Sequence, residues 1–328
     1  MSAPLPSDGV GRAVSYGLKS PWLSVVMPVH AGEAWLRPTL ESLAGEAEPG
    51  IEVLFFDSSP DERSSDVARE FASRIDIVIE RRPDLLGWTE KTNAAVELAR
   101  APHVAMLHQD DLWLPGRTAA LRRWIEADPE AVLHLGPTQI VDSKGRKRGV
   151  WNCPLPRGRV PEATLVARLP VQNFISVPAP VFRRDAYLAV GGMDPSLWYT
   201  PDWDLWIKLS RFGVVRHHAD VTSAFRVHGG SLTMTGSRSL ENFEDQMRIV
   251  LDRHAEWYAD RAPARAMEAS IRVNLGLAAA AAGKADKLIP ALRSLVALGP
   301  VGLVGYLHSS RIAERLMPRL RCKLAGEL

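Results

Sequence analysis

The chain has 328 residues, 46% of them hydrophobic and 24% charged, so it can bury a substantial core and is not a disordered polymer. Its 40 basic residues nearly balance 38 acidic ones, which argues against a nucleic-acid-binding face. Cys153 and Cys322 are too few and too far apart for a zinc spacing or a disulfide framework, so a reducing cytosol is the expected compartment.

Residues 1–20 carry no apolar run behind a basic start and read as a flexible leader, not a secretory signal. Leu23–Val29 is a continuous apolar run, the pattern of a buried parallel strand. Leu36, Leu40 and Leu43 then repeat at helical spacing. Ile51–Phe56 is a second strand, ending in the turn-rich Asp57-Ser58-Ser59-Pro60-Asp61. A helix through Val67 and Phe71, a strand at Ile75–Ile79, a loop at Pro83–Gly87 and a helix at Thr89–Arg100 follow. His103–Leu107 is a fourth strand running into Gln109-Asp110-Asp111, and a helix starts after Pro115. This alternation predicts an α/β protein with a mostly parallel sheet, in which ligands lie beyond the carboxyl ends of the strands.

Further on, Val132–Val141 reads as one strand, Asp142–Lys147 as a hairpin turn, Val171–Phe182 as extended chain and Val214–Val227 as strand again. Trp198–Phe212 is helical in its second half. From Glu241 the pattern is helical, including an Ala-rich stretch at Leu275–Ala282. Leu295–Leu307 is shorter than the ~20 residues of a membrane span and is broken by Gly299, Pro300, Gly302 and Gly305. Ile312, Leu316, Leu320 and Leu324 recur every four residues among Arg311, Arg315, Arg319, Arg321 and Lys323, a pattern suited either to anionic lipid or to packing on the main domain. The expectation is a soluble, cytoplasmic protein with peripheral contact to the inner face of a membrane through its C-terminal helices.

Several polar groups stand where chemistry is expected. Asp110 and Asp111 concentrate negative charge on a short loop, which a cation shared with substrate phosphates would relieve; the plain alternative is a solvated acidic turn. Asp57 lies just past a strand end, placed to accept from a nucleobase or ribose or simply to form a turn. Asp202 and Asp204 sit in Pro201-Asp202-Trp203-Asp204-Leu205-Trp206, where the tryptophans would pack under a site and aim Asp202 outward, or Asp202 would cap a helix. His228, before Gly229-Gly230, is a candidate metal ligand or phosphate contact.

Taken in order, these residues resemble glycosyltransferase family 2, whose fold is called GT-A. Leu23-Ser24-Val25-Val26-Met27-Pro28-Val29-His30 is similar to the family's opening strand, and Leu36–Leu43 to its first helix. Phe55-Phe56-Asp57-Ser58-Ser59-Pro60-Asp61 resembles the nucleotide-contacting loop, and Gly87 and Lys91-Thr92-Asn93 lie where the family has a Gly and an Ala-Arg-Asn-like stretch. His108-Gln109-Asp110-Asp111 resembles the acidic metal motif, with His108 in place of its first Asp. Pro201-Asp202 resembles the Glu-Asp motif of the catalytic base, with Pro201 in place of Glu, and Phe225–Ser231 resembles the later His-Gly-Gly stretch.

The resemblance implies a flexible segment at 1–20, a GT-A catalytic domain at 21–235 with a nucleotide-binding half (21–115) and an acceptor half (116–235), and a C-terminal helical region at 236–328. It implies an inverting, metal-dependent transferase that moves a sugar from a nucleotide-diphosphate donor, UDP-linked by preference, to a glycan or lipid-linked hydroxyl in surface polysaccharide or glycolipid synthesis. Asp202 would be the base, and Pro28, His30, Asp57, Gly87, Lys91, Asn93 and Asp110 would hold the donor. Trp203 and Asp204 would face the acceptor, and Asp110, Asp111 and His228 would hold Mn²⁺ or Mg²⁺. The rival reading is an inactive sugar-nucleotide-binding or scaffold protein, motivated by His108 and Pro201. A nucleotidyltransferase is disfavoured because His30-Ala31-Gly32-Glu33 is a poor substitute for its Gly-rich basic loop.

Overall fold

A computed structural model describes residues 20–230, 240–281 and 283–324. Residues 1–19, with Ser231 and Leu232 of the glycine-rich stretch and Ala282 of the Ala-rich one, lie outside the described residues. The first half alternates strand and helix: β1 (Leu23–Val29), α1 (Glu33–Ala44), β2 (Ile51–Asp57), α2 (Arg63–Arg69), β3 (Asp76–Arg81), α3 (Trp88–Leu98) and β4 (His103–Met106). Next come β5 (Leu112–Trp113), α4 (Arg117–Ala127), β6 (Leu133–Leu135), β7 (Thr138–Val141), β8 (Lys147–Trp151), β9 (Gly158–Arg159) and α5 (Glu162–Arg168). They are followed by β10 (Val181–Arg183), α6 (Arg184–Ala189), α7 (Pro201–Phe212), β11 (Val215–His217) and β12 (Ser223–Arg226). The C-terminal part is α8 (Leu240–Arg253), α9 (Ala255–Tyr258), α10 (Ala264–Ala281), α11 (Leu288–Ala297), α12 (Gly299–Ser310) and α13 (Ile312–Leu324).

The main sheet runs β3-β2-β1-β4-β10-β6-β11-β9, parallel from β3 to β4. β1 and β2 are buried throughout because both faces of the sheet are covered. Alternate side chains serve opposite cores: Val26, Leu54 and Phe56 join one with α3 and α7, while Val25, Met27, Val53 and Phe55 join the other with α1. Leu36, Leu40 and Leu43 are fully buried in that second core, and cutting any one to Ala would cost about 2–5 kcal/mol.

Two expected strands are each divided. Val132–Val141 breaks at Gly136-Pro137 into β6 of the main sheet and β7 of a second sheet ordered β5-β12-β7-β8. Val214–Val227 divides likewise into β11 and β12, and the pairs β6·β11 and β7·β12 are both parallel. The two segments thus cross between sheets side by side. An added Cβ at Gly136 would meet the Asp220 carbonyl at 3.1 Å and the Trp124 ring at 3.2 Å, so the close approach at the crossing favours a glycine there. Alternating burial looks the same whether one sheet or two receives it. Of Val171–Phe182, only Val181 and Phe182 belong to a strand, β10.

Of the two alternatives for the last helix, the structure shows packing on the main domain. In α13, Ile312, Pro318 and Cys322 are buried and the helix packs on β8, with Pro318 filling the space beside Gly149. It is therefore not a free lipid-facing helix. Met317 and Leu320 of α13 remain about half exposed, and the most exposed apolar side chains of the C-terminal part, Val296 and Val301, are on α11 and α12, which meet at a bend of 115°. Among the described residues no single helix is long and apolar enough to cross a membrane.

Candidate active site

The site forms where the parallel sheet turns back on itself. Chain order runs outward from β1 on one side through β2 and β3, and on the other side through β4, which opens a crevice at the carboxyl ends of β1 and β4. The β1·β4 ladder stops at Val26↔Met106, so Pro28, which has no N–H, sits where β1 has lost β4 as a neighbour. Gln109 bridges the gap beyond: its Oε1 accepts from His30 N at 2.8 Å and its Nε2 donates to His30 O at 3.2 Å. Gly32 lies against this amide, and a Cβ there would come within 2.5 Å of Gln109 Oε1. His30 is exposed at the rim, its Nδ1 3.1 Å from Ser58 O and from Ser58 Oγ.

The acidic loop follows β4. Ligand-capable atoms of His108, Asp110 and Asp111 all lie within 4.8 Å of one another. Asp111 is buried, and desolvation followed by the Asp110 charge pushes its carboxyl well above the usual carboxylate range, against the pull of Arg226. Arg226 holds the loop, its backbone N–H donating to Asp111 Oδ1 at 3.0 Å and its Nε to the Asp110 carbonyl at 2.8 Å. His228 Nε2 is 2.9 Å from Asp110 Oδ2, with its ring against Trp35 at 4.4 Å. Burial lowers the His108 pKa, keeping the ring in the neutral form that binds metals, and its Nε2 is buried with no hydrogen-bond partner. A raised carboxyl beside a second carboxylate and an orphaned imidazole nitrogen fit a divalent cation. His108, where the family's first Asp was expected, therefore belongs to the group, while His228 contacts it through Asp110.

The other expected donor residues divide into two sets. Lys91 is buried and points toward the crevice side of β1, its Nζ donating to Val29 O at 2.9 Å and Ser58 Oγ at 2.6 Å. Burial pulls its pKa down to about 8 against the charges of Asp57 and Glu90. Asp57 has no exposed surface. Its carboxylate accepts from Ser59 N at 2.7 Å, Ser59 Oγ at 2.5 Å, Ser65 Oγ at 2.6 Å and Arg81 Nη1 at 2.7 Å. In this state it braces the β2 loop and positions Arg81, which is 20% exposed. Gly87 starts α3, its N–H donating to Glu90 Oε2 at 2.9 Å. Asn93 is engaged with α6 and the segment that follows it. Its amide donates to Met193 O at 2.8 Å and accepts from Met193 N at 3.0 Å and Tyr187 Oη at 2.5 Å, pinning Gly191–Met193 to α3.

Helix α7 begins with Pro201, whose missing N–H costs nothing in a first turn. Asp202 is half-buried and lines a cavity of about 110 Å³ with Asn173, Trp203, Arg315 and Arg319. Desolvation raises its pKa to about 6, although Asn173 Nδ2 and Trp203 N donate to it at 2.8 Å each. Trp203 borders the same cavity and is tied by Nε1 to Leu169 O at 2.9 Å. Asp204, expected on the acceptor side, is instead fully buried on the opposite face of α7. It pairs there with Lys208 at 2.7 Å, His254 at 2.9 Å and Arg253 at 3.1 Å. Trp206 is pure core.

Sequence reasoning missed Gln109, Arg226, Arg81 and Asn173. Two had a usable signal: Arg81 ends the third strand, where the strand-end rule applies, and Arg226 lies inside the stretch already singled out around His228.

The description Glycosyl transferase family 2 matches residues 24–188. The amylovoran biosynthesis glycosyltransferase AmsE of Erwinia amylovora is 28% identical over 179 residues, 54% of this chain and 65% of AmsE. Among solved structures, residues 1–349 of TarS from S. aureus in complex with UDP-GlcNAc align with 78% of this chain and 72% of that one, at 17% identity and a TM-score of 0.58. The chain spans 43% of the longer TarS structure. The mannosyltransferase PcManGT of Pyrobaculum calidifontis, in complex with GDP-Man and Mn²⁺, aligns with 95% of this chain and 90% of its own, at 16% identity and a TM-score of 0.50. At these identities the structural likeness is one of fold. With the strand order, the acidic loop after β4 and the family match over half its length, the chain belongs to glycosyl transferase family 2 and has the GT-A fold.

Proposed function

We propose that this protein is an inverting transferase that moves a sugar from a UDP-linked donor to a hydroxyl acceptor, with Mn²⁺ or Mg²⁺ at His108, Asp110 and Asp111. The observation that carries this reading is the convergence of those three groups at the carboxyl end of β4, in a family 2 glycosyltransferase. The cation, when bound, supplies Lewis-acid stabilisation of the departing diphosphate. Lys91 and Arg81 add positive charge along the same strand ends. Asp202 accepts the acceptor's hydroxyl proton as the new C1–O bond forms, the C1–O bond to the phosphate breaks, and the nucleoside diphosphate leaves with the bonding pair. One displacement inverts the anomeric centre, with no covalent sugar–enzyme intermediate of the kind a retaining hydrolase needs. UDP and a metal are supported by the ligands of TarS and PcManGT, and a role in polysaccharide or glycolipid synthesis by AmsE.

Release of nucleoside diphosphate is measured across UDP-, GDP- and dTDP-sugars with Mn²⁺ or Mg²⁺, for wild type and Asp110→Ala/Asp111→Ala. Metal-dependent release from a UDP-sugar, lost in the double variant, is expected. Tight donor binding with neither transfer nor hydrolysis, with or without acceptors, would move the scaffold reading ahead.

Peripheral contact with a membrane is part of this reading. Leu288–Ser310 contains no acidic residue, and Val296 and Val301 are 71% and 87% exposed. Ile289, Leu292 and Val304 extend the same apolar surface around the bend between α11 and α12, with Lys287 and Arg293 beside it. Flotation with anionic vesicles should be lost in Val301→Glu/Val304→Glu and kept in wild type; equal flotation removes the idea.

A further inference from the structure

The cavity at Asp202 has a second wall that the proposed reaction does not use. Arg315 and Arg319, one turn apart on α13, both line it. Among the described residues neither has a carboxylate within ion-pair distance, whereas Arg311, Arg248, Arg253 and Arg261 of the C-terminal part each have at least one. Arg315 lies over the Trp151 ring at 5.3 Å, and its Nε and Nη1 are buried with no hydrogen-bond partner. The Tyr199 hydroxyl is its neutral partner. Arg319 gives Nη1 to the Arg315 carbonyl at 2.8 Å. Burial, with the adjacent Arg315 charge, pulls the Arg319 pKa down to about 10.

Two like charges held together and partly out of water are unfavourable unless something anionic joins them, and the Asp202 carboxylate in the same cavity is a single negative group for two positive ones. If they served only to fasten α13 to the domain, acidic partners would be expected, as they occur at Arg311 on the same turn of chain. Instead both side chains border a space several times the ~10–15 Å³ that one water needs, and Nε and Nη1 of Arg315 are left without a hydrogen-bond partner. Guanidinium forks match the oxygens of phosphate and carboxylate, and a pair of them matches the near-double charge of a phosphate monoester better than the single charge of a carboxylate.

We propose that Arg315 and Arg319 form a phosphate subsite beside Asp202, so that the acceptor of this enzyme carries a phosphate group close to the hydroxyl that is glycosylated. The acceptor half of this statement rests on Asp202 being the base; the phosphate subsite does not. The phosphate belongs either to a lipid phosphate or to a phosphorylated glycan, the recognising chemistry being the same.

The test is calorimetric titration of the full chain, in EDTA, with inorganic phosphate and then with glycerol 1-phosphate, glycerol and a short-chain prenyl phosphate. Wild type should bind phosphate and both phosphate esters but not glycerol. Arg315→Gln/Arg319→Gln should weaken phosphate at least ten-fold, and Arg315→Lys/Arg319→Lys, which keeps the charge if the Gln variant misfolds, should weaken it less. Asp202→Asn should bind phosphate as well as wild type or better, because a negative neighbour is removed; this arm separates failure of the subsite from failure of the base. Stronger binding of the prenyl ester than of glycerol 1-phosphate identifies the lipid source, and equal binding the glycan; both uphold the subsite. No phosphate binding by wild type, or equal binding by wild type and the folded Gln and Lys variants, overturns it.

Discussion

Two carboxylates on one helix meet opposite environments in this protein. Asp202 and Asp204 both sit in the first turn of α7, but residues at i and i+2 point to different sides of a helix. Asp202 faces a cavity where its hydrogen-bond donors are neutral and Arg315 is the charged neighbour, and burial outweighs both to lift its pKa to about 6. Asp204 faces α8 and the chain just after it, where burial is outweighed by His254, Lys208 and Arg253, which hold it down to about 2. A carboxylate with unspent basicity can accept a proton from a substrate, whereas one already neutralised by three partners holds the fold together. The same residue type thus supplies chemistry on one face and docking of the C-terminal helices on the other.

The comparison breaks most visibly at Asp202. Asp202→Asn should lower transfer by about 100–10,000-fold while donor affinity and melting temperature stay at wild-type values. Near-normal turnover would remove the base from this position. At Asp204 the effects should be exchanged. Asp204→Ala strips one side of a buried ion cluster and should cost about 3–5 kcal/mol in chemical denaturation, with turnover per folded molecule preserved. A variant with full stability and no activity would instead place Asp204 in the reaction.

The two groups should also separate on the pH axis. Asp202 works deprotonated, so kcat/KM should rise with pH through about 6 and then level off. Asp204 has a folded-state pKa below its unfolded one. Its stabilisation is therefore complete above the ordinary carboxylate value of about 4 and is lost as pH falls towards about 2, which denaturation of wild type and Asp204→Asn across that range would reveal. An acid limb of kcat/KM that persists unchanged in an Asp202→Glu variant with residual activity would assign it to another group. The smallest expected effect is at Asn173, which donates to Asp202 and favours its charged form. Asn173→Ala should shift the acid limb to higher pH with little loss on its plateau; an unshifted limb would mean that this hydrogen bond does not set the base's pKa.

Much of the nucleotide-binding half was legible in sequence because its signals are local. Continuous apolar runs marked β1 and β2, helical spacing marked α1, and polar residues just past the strand ends marked Asp57, Asp110 and Asp111, while Lys91 was marked only by the family resemblance. The divisions of Val132–Val141 and Val214–Val227 were not legible, since alternation is blind to which sheet receives a strand. The basic amphipathic pattern of α13 suited a lipid surface or packing on the main domain alike, and the fold gives a helix whose apolar side covers β8 and whose arginines line a cavity. The most exposed apolar side chains of this part lie on α11 and α12, where glycines and a proline concealed them as a broken span.

By itself the sequence determined the strand–helix alternation, the turn chemistry and the identity of the ionisable groups, because these depend on side-chain type and near-neighbour spacing. Tertiary structure alone decided their states. His108 joined the acidic loop as a neutral ring with Nε2 unpartnered, Asp57 became saturated, and Arg315 and Arg319 were brought beside Asp202 from a helix more than a hundred positions further along the chain. The reason is that desolvation and partner charges act across space, and at these sites the deciding neighbours are distant in sequence.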